Sequence, residues 1–404
     1  MLVAVLLFLC PFLSVEGSKV TFEKISLKFF SFGCKMKLCL SNVNPRSDLP
    51  NPPILGINFK KNREKIIHFL SLALADLGVP NYKCDDTLMK ASKKIPRNVN
   101  SVRPADIKLV MAMGDSLTAA NGAGAEDPLG VVLQYRGLAF QAGGDKSLDE
   151  HATIPNILRK YNPNLFGYSI GIGSPNVWEI SRLNVAMPGA EAHDLPRQAQ
   201  QLVGLLQSHP EAVNMNNDWK LLNIFIGGND MCGYCHNPVG LLFRVFELGQ
   251  RMLNNDAPEK CVQHISDAIQ IIYDHVPRVI VSLTTMLHLE VLRQTDSGHF
   301  FCTELHVDEC GCESDKSYNN TFLANDGKIN MGFFAPDCFH FSQYGHAIVT
   351  TWLWKNIMEP VGAKTTQGSL TNAAIPLVCP DPNCPFIRTN LNSKNCTQYM
   401  TPSQ

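Results

Sequence analysis

The chain has 404 residues, 45% of them hydrophobic, with 35 Lys and Arg against 36 Asp and Glu. That length buries one large core with room for appendages, and the composition is that of a globular protein. A net charge of −1, with no basic run interleaved by aromatics, excludes any charge-based case for nucleic acid or for an anionic surface.

The first segment, "MLVAVLLFLCPFLSVEGSKV", is apolar from Leu2 to Leu13, with Val15 and Gly17 in small-residue positions after it. It is too short to span a bilayer, and it reads as a secretory signal over residues 1–17, although it lacks the usual leading positive charge. A buried N-terminal strand or helix is the other reading of the same run. Fourteen cysteines, thirteen of them after Gly17, suit an oxidising compartment, and the odd number leaves a thiol unpaired or joined to another chain. Asn319 and Asn395 head glycosylation sequons. The polar end "NSKNCTQYMTPSQ" carries no lipid-anchor signal and no transmembrane anchor. The expected product is secreted and extracellular.

Residues 18–102 read as an N-terminal extension packing on a main domain. Its "SNVNPRSDLPNPPILG" is a loop, and Ile67, Leu70, Leu74 and Leu77 in "REKIIHFLSLALADLG" have helical spacing. The main domain, 103–365, alternates apolar runs with amphipathic ones. Strands are predicted at "IKLVMAM" from Ile107, at Leu183–Met187, at Leu221–Gly227 and at Arg278–Met286. Helices are predicted at "LPRQAQQLVGLLQ", at "CVQHISDAIQIIYDHV" and through Trp352. Such alternation predicts an α/β fold, a mostly parallel sheet with helices on both faces. Residues 366–404 form a tail containing Cys and Pro.

Ligands in such sheets bind beyond the C-terminal ends of the strands, and the chemistry-bearing residues fall there. The first strand runs into Gly114-Asp115-Ser116, the second into a turn at Gly189, the third into Gly227-Gly228-Asn229-Asp230. Downstream, "FFAPDCFHFSQYGHA" places Asp337 and His340 three residues apart. A serine hydroxyl needs a base in hydrogen-bond reach, itself held by a third group. His340 suits the base and Asp337 its support. Backbone N–H groups of Ser116 and Gly189 and the Asn229 amide suit an oxyanion hole. Alone, Asp115 and Ser116 are a helix cap and the Gly-Gly-Asn-Asp run is a turn. Their succession on the strand ends of one sheet is what favours chemistry.

These blocks, "GDSLTAANGAG", "YRGLAFQAGGD", "IPNILRKYNP", "IGGNDMC" and "FFAPDCFHFS", resemble the GDSL family of serine esterases and lipases, the SGNH hydrolases, and within it the phospholipase B/lipase group. The likeness runs from about Pro104 to Arg388. It implies a flavodoxin-like three-layer α/β/α sandwich, with Ser116, Asp337 and His340 catalytic and Ser116, Gly189 and Asn229 in the oxyanion hole. It implies no metal and no organic cofactor, and a lipid ester substrate such as a phospholipid or lysophospholipid, met at a membrane or micelle surface. Short-chain or carbohydrate esters are the alternative substrates. In the family a longer segment, with a helix and strand, precedes "FFAPDCFHFS"; here only "ESDKSYNNTFLANDGKINMG" follows Cys312. The last sheet strand is therefore expected to be missing. A further alternative follows, a lipid-binding protein with impaired catalysis.

Competing signals are weaker. Cys232-x-x-Cys235-His236 matches haem attachment or half a zinc site, and neither His193 nor Cys261 completes the latter at a telling spacing. Structural disulfides are the simpler expectation. "GAGAED" and "QAGGD" lack the lysine of a phosphate-binding loop. His346 is a rival base, disfavoured by the Asp-x-x-His spacing of His340.

Overall fold

Apolar on both faces except at Lys108, the stretch IKLVMAMG is the kind of strand that needs cover on two sides. In the computed structural model it is the pivot of the sheet. The structure describes residues 75–234, 258–286, 330–365 and 375–400, with the short elements Ala4–Phe8, Ser14–Glu16, Lys19–Thr21 and Leu292–Thr295 and positions 302, 306 and 310. The strands are β1 (Ala4–Phe8), β2 (Ser14–Glu16), β3 (Lys19–Thr21), β4 (Ile107–Gly114), β5 (Trp219–Phe225) and β6 (Val279–Thr284). The helices used below are α1 (Ser116–Ala119), α2 (Ile154–Tyr161), α3 (Leu195–Ser208), α4 (Gly228–Tyr234), α5 (Pro258–His275) and α6 (Gln343–Met358).

The chain divides into two compact units, one of residues 12–68 and one of residues 1–11 with 69–404. The described part of the first is the antiparallel pair β2–β3. The second unit holds a parallel sheet in the order β1-β6-β5-β4. On the free side of β4 two further segments take turns. The Val110 N–H donates to Phe166 and the Ala112 N–H to Leu183, while Val185 and Met187 donate back to Ala112 and Gly114. The predicted strand at Leu183–Met187 is thus present as a single parallel bridge, Ala112 to Asn184, rather than as a full ladder.

Alternation along β4 sorts its side chains between two layers. Leu109, Met111 and Met113 pack with α3 and α5 residues such as Leu202 and Ile272; Ile107 and Val110 pack with Ile157 of α2 and Leu353 of α6. The fold is the expected α/β/α sandwich. Val79, Tyr82, Val99 and Val102 share the α2 and α6 layer with Leu377 and Ile387, and Cys84 is disulfide-bonded to Cys379. The end of the extension and the tail are therefore integral to the core. The helix predicted across Ile67 to Leu77 lies mostly outside the described residues, and its described end is not helical. Ala75 to Gly78 is a closed turn, and a Cβ at Gly78 would collide with the Asp149 backbone.

The segment in which a strand was expected to be missing, residues 311–329, lies outside the described residues, and the edge of β6 is occupied by the start of the chain. Ala4–Phe8, within the run read as a secretory signal, pairs in parallel with β6, Ala4 opposite Ile280 and Phe8 opposite Thr284. Cleavage after Gly17 would leave β6 as the sheet edge.

Two histidines are sealed in the core between α2 and α6. His346 accepts the Phe140 N–H at 3.2 Å, and His151 Nε2 lies 3.1 Å from the Leu138 carbonyl. Burial lowers the pKa of His151 to about 4 and of His346 to about 3. An unfolded histidine titrates near 6.5, so below that pH the unfolded chain binds protons that the folded chain refuses. Stability is expected to fall as pH drops from about 6.5 toward 4, by up to about 1.4 kcal/mol per pH unit for each histidine. Denaturant melts at several pH values test this. His346→Gln should flatten the slope, and an unchanged slope would refute the assignment.

Candidate active site

β4 delivers the chain to Gly114, where a Cβ would collide with the Phe225 carbonyl oxygen and Thr118 Oγ1. Only glycine allows that approach. The side-chain amide of Gln198, on the buried face of α3, brackets Gly114 from the other side. It accepts the Gly114 N–H and donates to the Gly114 carbonyl, both at 2.9 Å. Asp115 then caps α1 by accepting the Leu117 N–H at 2.9 Å. The cap reading of Asp115 was right, and it coexists with the chemistry: Ser116, the first helical residue, is held with its hydroxyl at the sheet's C-terminal edge.

That hydroxyl meets His340. Nε2 of His340 lies 2.8 Å from Ser116 Oγ, and its Nδ1 lies 2.5 Å from Asp337 Oδ2. Asp337 is 2% exposed, and its Oδ1 accepts the backbone N–H groups of Phe339 and His340 at 3.1 and 3.0 Å. Burial pushes the Asp337 carboxyl up, but the hydrogen bond and charge of His340 and the two backbone donors outweigh it and hold the carboxyl below its usual range. Nδ1 must carry the proton that Asp337 accepts, which leaves a lone pair on Nε2 for the serine. His346 is enclosed against Phe140, and its Nδ1 is occupied by the Phe140 N–H. The geometry brings His340, not its rival, to the hydroxyl.

The loop holding Asp337 and His340 is fastened, among the described residues, by local bonds and by disulfides. Phe334 and Phe341 form an antiparallel bridge, and the Ala335 N–H donates to the His340 carbonyl at 2.7 Å. Cys338, at a φ of +62°, is disulfide-bonded to Cys302, and its carbonyl lies 3.3 Å from the buried His306. Four residues beyond His306, Cys310 is bonded to Cys232 in α4. Two cross-links thus tie the loop of Asp337 and His340 to Cys302 and, through the neighbouring Cys310, to α4. The Cys232–Cys310 bond bears out the expectation of a structural disulfide at Cys232 over the haem and zinc alternatives, since a disulfide sulfur neither adds to haem nor ligates a metal. Among the described residues no group of three His, Cys, Asp or Glu is placed to hold a metal ion.

Facing Ser116's strand end are the other two loops. Gly189 has a φ of +76°, with open space where a Cβ would stand. The Asn229 Nδ2 donates to the Ala190 carbonyl at 2.8 Å, and the Asp230 carboxylate accepts the Ala192 N–H at 3.0 Å with each oxygen. These bonds lock the Gly189 turn to the start of α4. Asp115 lies beside that junction. Burial raises its pKa to about 7, the charge of Asp230 adds to the rise, and His340 opposes it. The sequence assigned no role to Gln198 or to the Cys302–Cys338 pairing, and Asp230 read only as part of a turn. Of the first two, only one had a local signal: Gln198 is a polar residue on the apolar face of a predicted helix. Of the sequons, Asn395 is exposed and its Oδ1 accepts from Thr397 Oγ1 at 2.7 Å, while Asn319 lies outside the described residues.

A hydroxyl, an imidazole and a carboxylate in one hydrogen-bonded series, at the C-terminal edge of a parallel sheet in an α/β/α sandwich, define a serine hydrolase. Residues 110–320 match the family model of the GDSL-like lipase/acylhydrolases, and the chain belongs to that family. The matched span ends before Asp337. Phospholipase B1, membrane-associated, of Homo sapiens is 35% identical over 351 residues, covering 76% of this chain and 23% of that protein. The proteins of the same name from Rattus norvegicus and Mus musculus are 34% and 33% identical, over 76% and 75% of the chain. The chain thus spans about a quarter of the length of these relatives. No solved structure matches it significantly.

Proposed function

We propose that the protein is a secreted acylhydrolase of phospholipid or lysophospholipid esters working through an acyl-enzyme intermediate. The observation that carries the reading is the continuous series from Ser116 Oγ through His340 to Asp337, at 2.8 and 2.5 Å. His340 takes the hydroxyl proton as Ser116 attacks the ester carbonyl, and Asp337 stabilises the imidazolium that forms. The Ser116 and Gly189 N–H groups and the second N–H of Asn229 stabilise the tetrahedral oxyanion. His340 then protonates the leaving alcohol, and water repeats the sequence in reverse to free the acid. The relatives named phospholipase B1 support a phospholipid as the source of the ester. The four disulfides among the described residues support an oxidising compartment, and exposed Asn395 suits glycosylation there.

A fluorophosphonate probe tests the mechanism without assuming a substrate. Labelling is expected at Ser116 in the wild type and is expected to vanish in His340→Ala. Folded wild-type protein that takes no label would refute the reading. It would leave a lipid-binding protein whose motifs outlived its catalysis.

A further inference from the structure

Between Ala120 and Tyr135 the chain leaves the helix of Ser116 and returns to it as a closed arm. The Asn121 N–H donates to the Ser116 carbonyl, the Tyr135 N–H to Ala120 and the Gly122 N–H to Leu133. The base of the arm also abuts the loop of Asp337 and His340. The Gln343 N–H donates to the Ala123 carbonyl, and a Cβ on Gly122 would come 3.1 Å from that of Ala335. The base of the arm is therefore one wall of the reaction site, and its far end lies outside that wall.

Its far end is apolar and held open. Leu129 is 85% exposed and Val132 75%, with Leu133 at 45% beside them. They do not collapse, because their turn is built rigidly. Pro128 opens it, and the Asp127 side chain caps it by accepting the Gly130 N–H at 3.0 Å. A second loop adjoins the arm through the Gly173 N–H to Gln134 and the Gly137 N–H to Gly171, and adds Ile170 and Ile172, 41% and 49% exposed. Neither 117–135 nor 170–181 contains Lys or Arg, whereas Glu126, Asp127 and Glu179 are exposed.

We infer that this arm and its neighbour are an insertion surface for a zwitterionic phospholipid layer. The inference rests on the proposed function, whose site the surface adjoins. A contiguous apolar group held in water marks a place of contact with another phase or protein. The commitment to a neutral lipid face follows from charge. An anionic leaflet attracts clusters of Lys and Arg, and this surface offers only carboxylates. The continuity of the arm with Ser116 sets a membrane-embedded ester beside the nucleophile.

The test uses the full chain and two lipid states. Binding is measured by sedimentation with vesicles of ether-linked phosphatidylcholine, which cannot be hydrolysed at an ester, alone or with ether-linked phosphatidylserine. Wild type is expected to bind the neutral vesicles, and added phosphatidylserine is expected to weaken binding. Leu129→Ser with Val132→Ser should weaken it about ten- to a hundredfold, the worth of about one fully inserted aliphatic side chain shared between the two positions. Hydrolysis of a soluble short-chain ester should be unchanged in the same variant. Equal vesicle binding by variant and wild type would overturn the inference, as would binding that requires phosphatidylserine. So would a wild-type dimer that the variant lacks, since the apolar end would then be covered by a second copy. If wild type cleaves no ester yet binds vesicles through Leu129 and Val132, the proposed function falls and the insertion surface stands.

Discussion

His340→Ala is expected to lower turnover of any ester substrate by about 10⁴- to 10⁶-fold while leaving thermal stability near that of the wild type. Among the described residues the imidazole is the base hydrogen-bonded to Ser116 Oγ, and it is only partly enclosed, its side chain 12% exposed. Asp337→Asn is the sharper variant. The carboxylate meets donors on both oxygens: His340 Nδ1 on Oδ2, and two backbone N–H groups on Oδ1. An amide satisfies the backbone pair with its oxygen and then turns its NH₂ toward Nδ1. That nitrogen would have to accept, which moves the ring proton to Nε2 and removes the lone pair facing the serine. A loss of about 10⁴ in kcat is expected from the wrong tautomer alone. Combining the two changes should cost little more than His340→Ala, because the pair acts as a unit. Steady-state kinetics on a soluble ester reads all three values. If Asp337→Asn keeps turnover within tenfold, the tautomer argument fails.

The sequence was informative wherever the structural cause is local. Strands at Ile107, Leu221 and Val279 declare themselves by unbroken apolar runs, and α3 and α5 by a buried face repeating every three or four residues. The site was legible for the same reason, since each of its loops directly follows a strand or precedes a helix. Two kinds of feature were not. The first is the strand seat: Leu183–Met187 has the composition of a strand, but only Asn184 is in register with β4, because Phe166 occupies the same edge nearer its start. Ala4–Phe8 likewise carries the same apolar run whether it is a leader or an edge strand. The second is the long-range polar partner. Gln198 finds Gly114 84 residues away, and Cys302 finds Cys338 across the short segment. No periodicity encodes such a pairing. Strand propensity is written locally in a sequence, and the partner of a cross-link is not.

Arg136→Ala is expected to destabilise the fold by about 3–6 kcal/mol, a large share of the 5–15 kcal/mol typical of a native protein. Arg136 is fully buried and donates only to neutral oxygens. Nε reaches the Gly173 carbonyl at 2.8 Å and Gln134 Oε1 at 3.2 Å; Nη1 reaches Asn184 at 3.0 Å; Nη2 reaches Gln134 Oε1 and the Ala186 carbonyl at 2.7 Å each. Burial lowers its pKa to about 9, so it still carries its charge at neutral pH. Alanine would strand the three carbonyls of Gly173, Asn184 and Ala186 without water, at about 1–3 kcal/mol for each buried group left unpaired, and open a cavity besides. Asn184 and Ala186 lead directly to Met187 and the Gly189 turn, so the damage is not confined to stability. At temperatures where the variant remains folded, its turnover should fall as well, through displacement of Gly189, the oxyanion donor proposed above. Arg136→Lys separates charge from geometry. An ammonium keeps the charge and up to three donors, yet it cannot span Gly173 and Ala186 as the planar fork does. It should fall between alanine and the wild type. Chemical denaturation of the three proteins decides the matter, and an alanine variant within about 1 kcal/mol of the wild type would show that the carbonyls find water or each other instead.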